Sequence, residues 1–191
     1  GSGTHAVQTA RIMQRFEPVL LEESPAAVLV VGDVNSTIAC ALVASKHGIP
    51  VIHVEAGLRS GDRRMPEEIN RVLTDQISDL LFTTEPDARA NLMREGIDEK
   101  RIFYVGNVMI DNLIANLGKA VSPAEIFGKT VNPDYLTREG SDFALLTLHR
   151  PSNVDDMRVL EQLLHTIIEV SRLIPVIFPM HPRTRQRIKE S

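Results

Sequence analysis

Five short polar stretches of this 191-residue chain hold the residue types from which acid–base and phosphate chemistry is built. Gly32-Asp33-Val34-Asn35-Ser36-Thr37 follows the apolar run Ala26–Val31, and Glu55-Ala56-Gly57-Leu58-Arg59-Ser60-Gly61-Asp62 follows Pro50–Val54. Glu67 and Glu68 come soon after, directly behind Pro66. Further on, His149-Arg150-Pro151-Ser152-Asn153 follows Phe143–Leu148, and His181-Pro182-Arg183 follows Val176–Met180. Carboxylates crowded on one rim raise one another's pKa values, which equips one as acid and another as base. Arg150 and Arg183, near helix N-termini, suit phosphate oxygens through bidentate hydrogen bonds and the helix dipole. The set fits proton transfer on an anionic substrate. On geometry alone it reaches no further than an enzyme of sugar phosphates or nucleotides.

Such residues meet only if the elements behind them deliver them to one place. The apolar runs are short and rich in β-branched side chains, and they alternate with helical patterns, which predicts a parallel α/β sheet. Strands are expected at Ala26–Val31, Pro50–Val54, Leu80–Thr83, Arg101–Val105, Phe143–Leu148 and Val176–Met180. Asn35 or Ser36 can cap the helix after the first strand, and Pro66 with Glu67 and Glu68 marks the start of the helix after the second. A helix over Asp155–Leu173 places Leu160, Leu163, Leu164, Ile167 and Ile168 on one face. In open parallel sheets, ligands bind at the carboxyl ends of the strands, where these polar stretches fall. The chain reads as a first Rossmann-like domain over 1–118, a connector over 119–141 rich in glycine and proline, and the beginning of a second domain over 142–191. With no strand ahead of the first helix and only two strands in the last part, it resembles the middle of a longer two-domain protein.

Composition narrows the partners. Lys and Arg number 21 against 25 Asp and Glu, a formal charge of −4, and only 4% of residues are aromatic. Neither a broad basic face nor base-stacking platforms for nucleic acid are expected. One cysteine, Cys40, leaves no disulfide framework and no multi-cysteine zinc site, in keeping with a reducing cytoplasmic setting. No apolar run approaches the roughly 18 residues of a membrane span, so no membrane association is expected.

Each candidate also has a structural reading when taken singly. Asp33 and Ser36 could cap a helix, Glu67 and Glu68 could answer a helix dipole, and Glu55 could pair with Arg59 or Arg63. His149 could be a hydrogen-bonded structural histidine, His53 could bond a neighbour, and Cys40 reads as core. Joint occurrence outweighs these readings. The segments GDVNST, HVEAGLRSGDRRMPEEINR, RIFYVGNVMID, TLHRPSNVD and FPMHPRTR, in order and at compatible spacing, strongly resemble the non-hydrolysing UDP-N-acetylglucosamine 2-epimerases.

That resemblance implies two Rossmann-like domains arranged as in GT-B glycosyltransferases, with the active site in the cleft between them, and homodimers. It implies an isomerase that interconverts UDP-GlcNAc and UDP-ManNAc by eliminating UDP and adding it back, with proton exchange at C2 and without redox cofactor or metal. The product would feed cell-surface polysaccharide synthesis. By motif, Asp33, Glu55 and Glu67 match the family's proton-transfer and sugar-positioning carboxylates. His149 matches the histidine that holds or protonates the leaving diphosphate. Arg150, His181, Arg59 and Arg183 fall to substrate and phosphate binding, and Arg11 to a regulatory UDP-GlcNAc site. The chain on its own is expected to be inactive. Several members read GDTTT, so hydroxyls are missing at Val34 and Asn35, and Ser152 stands where a glutamate is usual. A related epimerase acting on a diacetamido uronic acid, a hydrolysing epimerase and a GT-B glycosyltransferase are the alternatives.

Overall fold

β-Branched side chains suit a pleated surface, and Val28–Val31 accordingly forms the first strand, β1, in the computed structural model, which describes residues 3–123, 125–126 and 142–190. β2 (Val51–Val54), β3 (Leu80–Thr83) and β4 (Ile102–Tyr104) follow beside it in sequence order, every pair parallel. Val28 faces Val51, Val31 faces Val54 and Leu81 faces Ile102, so the strands end nearly level and their following loops share one rim. Parallel neighbours require a crossover. Here α2 (Asn35–Lys46), α3 (Pro66–Ile77) and α4 (Pro86–Arg94) supply the three. α1 (His5–Glu23) comes before β1 and α5 (Val108–Leu117) after β4. These elements lie in the first of two compact units, Gly1–Gly118; the second is Lys119–Ser191.

The α/β parallel-sheet class expected from the sequence is the one observed. Small side chains bring α2 close to the sheet: Ala41 and Ala44 pack with Val30 and Val51, and Cys40 lies against that cluster. On the other flank Leu81, Leu92, Ile97 and Ile102 close around Ala56. Truncating a fully buried leucine such as Leu92 in such a cluster costs about 2–5 kcal/mol. The start of α2 departs from expectation. Val34 is its N-cap, with no side-chain bond to the helix. Asn35 turns its amide to Gln8 and to the side chain of Asn70, tying α2 to α1 and α3 instead.

In the second unit β5 (Ala144–Leu145) and β6 (Val176–Ile177) pair in parallel, and α6 (Pro151–Val154), α7 (Met157–Ser171) and α8 (Pro182–Glu190) complete it. Both strands are shorter than the expected Phe143–Leu148 and Val176–Met180. Pro179 offers no N–H, so the ladder stops soon after the Leu146 N–H reaches the Ile177 carbonyl at 2.8 Å. Leu148, Val154 and Leu160 form the core here, with Leu163 and Leu164 of α7 packed on it. Most of the connector expected over 119–141, residues 124 and 127–141, lies outside the described residues. Among the described residues no helix is long and apolar enough to cross a membrane.

Two contacts shape the loop between β2 and α3. Gly57 has φ +79°, and a Cβ there would stand 2.7 Å from the Ala88 carbonyl oxygen and 2.9 Å from Leu92 Cγ, so α4 can approach only a bare Cα. Glu68, 4% exposed, accepts from the N–H groups of Ser60 and Gly61 at 2.9 and 3.0 Å and from the Ser60 hydroxyl at 3.1 Å. Burial alone would raise the Glu68 carboxyl. The backbone donors, the Ser60 hydroxyl and the nearby Arg59 charge outweigh it and hold the group below its ordinary range.

Gly57→Ala is expected to destabilise the chain by roughly 2–4 kcal/mol in chemical denaturation, combining left-handed strain with overpacking. Glu68→Gln is expected to cost about 1–2 kcal/mol at neutral pH. Because the folded carboxyl titrates below its unfolded value, this contribution is complete above the ordinary glutamate range and disappears as pH falls through the folded value. The deficit of the variant should therefore shrink on acidification; a deficit that grew would contradict this role.

Candidate functional site

At the end of β1 the chain turns at Gly32, φ +73°, and presents Asp33. The Asp33 carboxylate accepts a hydrogen bond from the Arg71 guanidinium at 2.5 Å, and its backbone carbonyl accepts one from the Asn70 amide at 2.9 Å. Both partners come from the second turn of α3. At the end of β2 the backbone makes a sharper turn: Glu55 sits at φ +71°, in the left-handed region that a non-glycine residue occupies only at a cost of about 1–3 kcal/mol. The N–H groups of Glu55 and Ala56 both donate to the Phe82 carbonyl, at 3.0 and 3.1 Å, and so fix this conformation. It points the Glu55 carboxylate back over the neighbouring turn. Oε2 lies 3.2 Å from where a Cβ on Gly32 would be, so a side chain there would push the Glu55 carboxylate away by a few tenths of an ångström, on top of the strain of the φ +73° backbone. Among the described residues this half-buried carboxylate has no hydrogen-bond or ion-pair partner.

Glu67, in the first turn of α3, is exposed. It lines a cavity of about 270 Å³ together with His5, Gln8, Val34, Asn35 and Asn70. Glu67 lies one helical turn before Asn70 and Arg71, which both reach Asp33, so it shares a face of α3 with the partners of Asp33, while Glu55 lies over the Gly32 turn. Of the three expected carboxylates, one is ion-paired, one is unpaired and bent back, one is exposed. Of the two glutamates after Pro66, Glu68 is occupied by the loop, which leaves Glu67 as the one available to a ligand.

Beneath the rim lies a buried network. Asp75 of α3 and His53 of β2 are both fully buried. His53 Nδ1 meets Asp75 Oδ1 at 2.6 Å and His53 Nε2 meets the Gly32 carbonyl oxygen at 2.8 Å. Asp75 Oδ2 accepts from the Gly57 N–H at 3.1 Å and from Arg59 at 2.7 Å. Arg59 pairs with Glu95 as well, donating at 2.7 and 2.6 Å. Burial opposes its charge, but Glu95 and Asp75 prevail and hold the guanidinium above its ordinary value. Arg59 was expected to contact phosphate or to pair with Glu55; its guanidinium is instead spanned by two internal carboxylates. A larger cavity, about 830 Å³, opens between α3 and α4 beside Arg59 and Arg94, and none of the three rim carboxylates lines it.

In the second unit the Thr184 hydroxyl donates to the Leu148 carbonyl at 2.6 Å, holding the start of α8 against the segment that follows β5. His149 and His181 are brought together by this, their ring centroids 6.3 Å apart, both exposed. His149 Nδ1 lies 3.2 Å from the Thr147 hydroxyl, and His181 Nδ1 accepts from the Arg183 N–H at 3.2 Å. The Arg183 side chain is engaged by Asp155, at 2.9 and 2.5 Å. Arg150 is exposed and has no side-chain partner among the described residues. Arg11 is exposed on α1, one turn from Gln8.

The sequence reading missed Asn70, Arg71 and Asp75. Their signal was present in the i, i+4, i+8 spacing of Glu67, Arg71 and Asp75 down one face of α3, but a charged residue deep in a helix reads as solvent-facing until the sheet is placed against it.

A sequence profile of the UDP-N-acetylglucosamine 2-epimerase family matches residues 1–191. The UDP-N-acetylglucosamine 2-epimerase of Methanocaldococcus jannaschii is 48% identical over 195 residues, covering 100% of this chain and 51% of that protein. The UDP-2,3-diacetamido-2,3-dideoxy-D-glucuronate 2-epimerase of Pseudomonas aeruginosa is 45% identical over 186 residues, 96% of this chain and 49% of that protein. Among solved structures, the Methanocaldococcus jannaschii UDP-GlcNAc 2-epimerase in complex with UDP-GlcNAc and UDP matches with a TM-score of 0.83 at 47% identity, over 100% of this chain and 51% of that one. The Neisseria meningitidis enzyme bound to UDP-GlcNAc matches with a TM-score of 0.82 at 30% identity, over 98% and 52%. The chain thus spans about half the length of the curated relatives it matches. Agreement along its whole length, in sequence and in fold, makes it a member of the UDP-N-acetylglucosamine 2-epimerase family.

Proposed function

We propose that this chain supplies the acid–base half of a non-hydrolysing epimerase that interconverts UDP-GlcNAc and UDP-ManNAc. The observation that carries the reading is the unpaired Glu55 carboxylate, bent back over the Gly32–Asp33 turn beside ion-paired Asp33 and within the rim that also bears Glu67. The C2 proton of the sugar is not beside a carbonyl, so enolisation cannot remove it. A base takes that proton as the C1–O bond to UDP breaks, and the electron pair of the C2–H bond becomes the C1–C2 double bond of 2-acetamidoglucal. UDP then adds back to C1 while an acid returns a proton to the opposite face of C2. The reaction needs a base and an acid on different sides of the sugar, and the carboxylates of Asp33, Glu55 and Glu67 are assigned to those roles. His149, His181 and Arg150 are assigned to the diphosphate, His149 holding or protonating it as it leaves. Arg183 has a lesser share, since Asp155 already engages it. Arg59 serves the loop rather than the phosphate, and Arg11 is left to a regulatory nucleotide-sugar site.

Two Rossmann-like domains in a GT-B-like arrangement, a homodimer, a cytoplasmic setting and supply of a polysaccharide precursor complete the proposal. A second reading is favoured by the 45% identity to the Pseudomonas aeruginosa relative: the same chemistry on a UDP-diacetamido uronic acid. A panel of the two substrates separates them.

Assayed at the length of its relatives in deuterated water, the enzyme is expected to place deuterium at C2 of the product; turnover with ordinary hydrogen retained there would overturn the mechanism. Glu55→Gln and His149→Asn should each lower kcat by about 10²–10⁴-fold with unchanged unfolding temperature, as expected for loss of a general acid or base. Near-normal turnover in either would remove that residue from the chemistry.

A further inference from the structure

We infer that Asp75 is a positioning residue for the proposed epimerase reaction: through His53 and Gly57 it holds the two turns that present Asp33 and Glu55. One carboxylate oxygen meets the ring of His53, two residues before Glu55, and the other accepts from the N–H of Gly57, two residues after it. Glu55 is therefore pinned on both sides at a left-handed φ of +71°. The far nitrogen of His53 continues the chain of contacts to the Gly32 carbonyl, one residue before Asp33. A single side chain of α3 thus bridges the turn after β1 and the turn after β2, beside the Gly32 N–H to Val54 carbonyl bond that joins the strand ends directly. Asp75 and His53 are both fully buried and stand below the rim, so they act through their neighbours rather than on a ligand.

Stability alone does not account for this arrangement. A buried ionic network is weak evidence for stability, because apolar side chains of similar volume often pack a helix against a sheet as well or better. What an apolar pair could not do is hold the Gly32 carbonyl and the Gly57 N–H at fixed separations. Arg59 completes the carboxylate's partners and links it to Glu95 at the end of α4, outside the rim.

The inference rests on the epimerase reading, and the experiment separates the two. At the length of the relatives, kcat, KM for UDP-GlcNAc, C2 exchange and thermal unfolding are measured for the wild type, Asp75→Leu, His53→Gln and Glu95→Gln. Leucine keeps the branched shape of Asp75 but accepts from neither the Gly57 N–H nor Arg59 and offers His53 no partner, so it releases both turns, whereas an asparagine could still accept from Gly57 while its NH₂ donated to a neutral His53 ring. Small displacement of reacting groups lowers rate more than ground-state binding, so Asp75→Leu and His53→Gln should lose about 100-fold in kcat with KM within about threefold. Glu95→Gln should turn over as the wild type does. Folded variants with undiminished kcat, or a loss confined to KM, would overturn the inference while wild-type C2 exchange upholds the reaction. A wild type without exchange would overturn both. If the two variants do not fold, the wild-type His53 ring nitrogen signals decide by NMR: a shift on adding UDP-GlcNAc supports the link to the rim, and unmoved signals overturn it.

Discussion

A carboxylate taken out of water must find a donor for each oxygen, and Asp75 in the middle of α3 is such a group. Every donor it uses comes from β2 or the loop that follows: His53, Gly57 and Arg59. The helix is thereby locked to one strand end at one height. Asn70 and Arg71, about one turn nearer the helix start, then fall level with Asp33, and Glu67 falls nearer the opening. This requirement sets the height of α3 against the rim of the first unit.

Glycine does the complementary work. Glu55 lies close over the neighbouring turn at Gly32, where a Cβ would crowd its carboxylate, and α4 can close under the loop only because Gly57 has no side chain. Close approach on both sides fixes a loop that carries few apolar side chains of its own. Glu68 adds the last constraint by accepting from Ser60 and Gly61, which keeps the loop from lifting away from α3. The second unit uses a simpler device, one hydroxyl bond from Thr184 to Leu148, to bring His149 and His181 together.

Much of this was legible in the sequence, for physical reasons. Val28–Val31 and Val51–Val54 are β-branched and too short for buried helices, and Pro66 followed by two glutamates marks a helix start with its dipole. Asp33 and Glu55 stood out because polar residues just after apolar strands have to be somewhere near a sheet rim, and Glu67 because it follows the Pro66 that starts a helix. The roles of Asp75, His53 and Arg59 were not legible, because they depend on contacts between residues 16 to 36 positions apart that no local pattern encodes. Two local expectations also failed. Asn35 is used across helices rather than as a cap, and Pro179 ends a strand that hydropathy alone would continue.

The central claim is that three strand-end and helix-start carboxylates act on one sugar carbon. A crystal structure of the protein, at the length of its relatives, with UDP-GlcNAc bound tests it most directly. The account predicts Glu55 and at least one of Asp33 and Glu67 within about 4 Å of C2 or its hydrogen, the reach of proton transfer directly or through a small closing motion. A sugar ring lodged in the cavity between α3 and α4, with all three carboxylates turned away from it, would contradict the account.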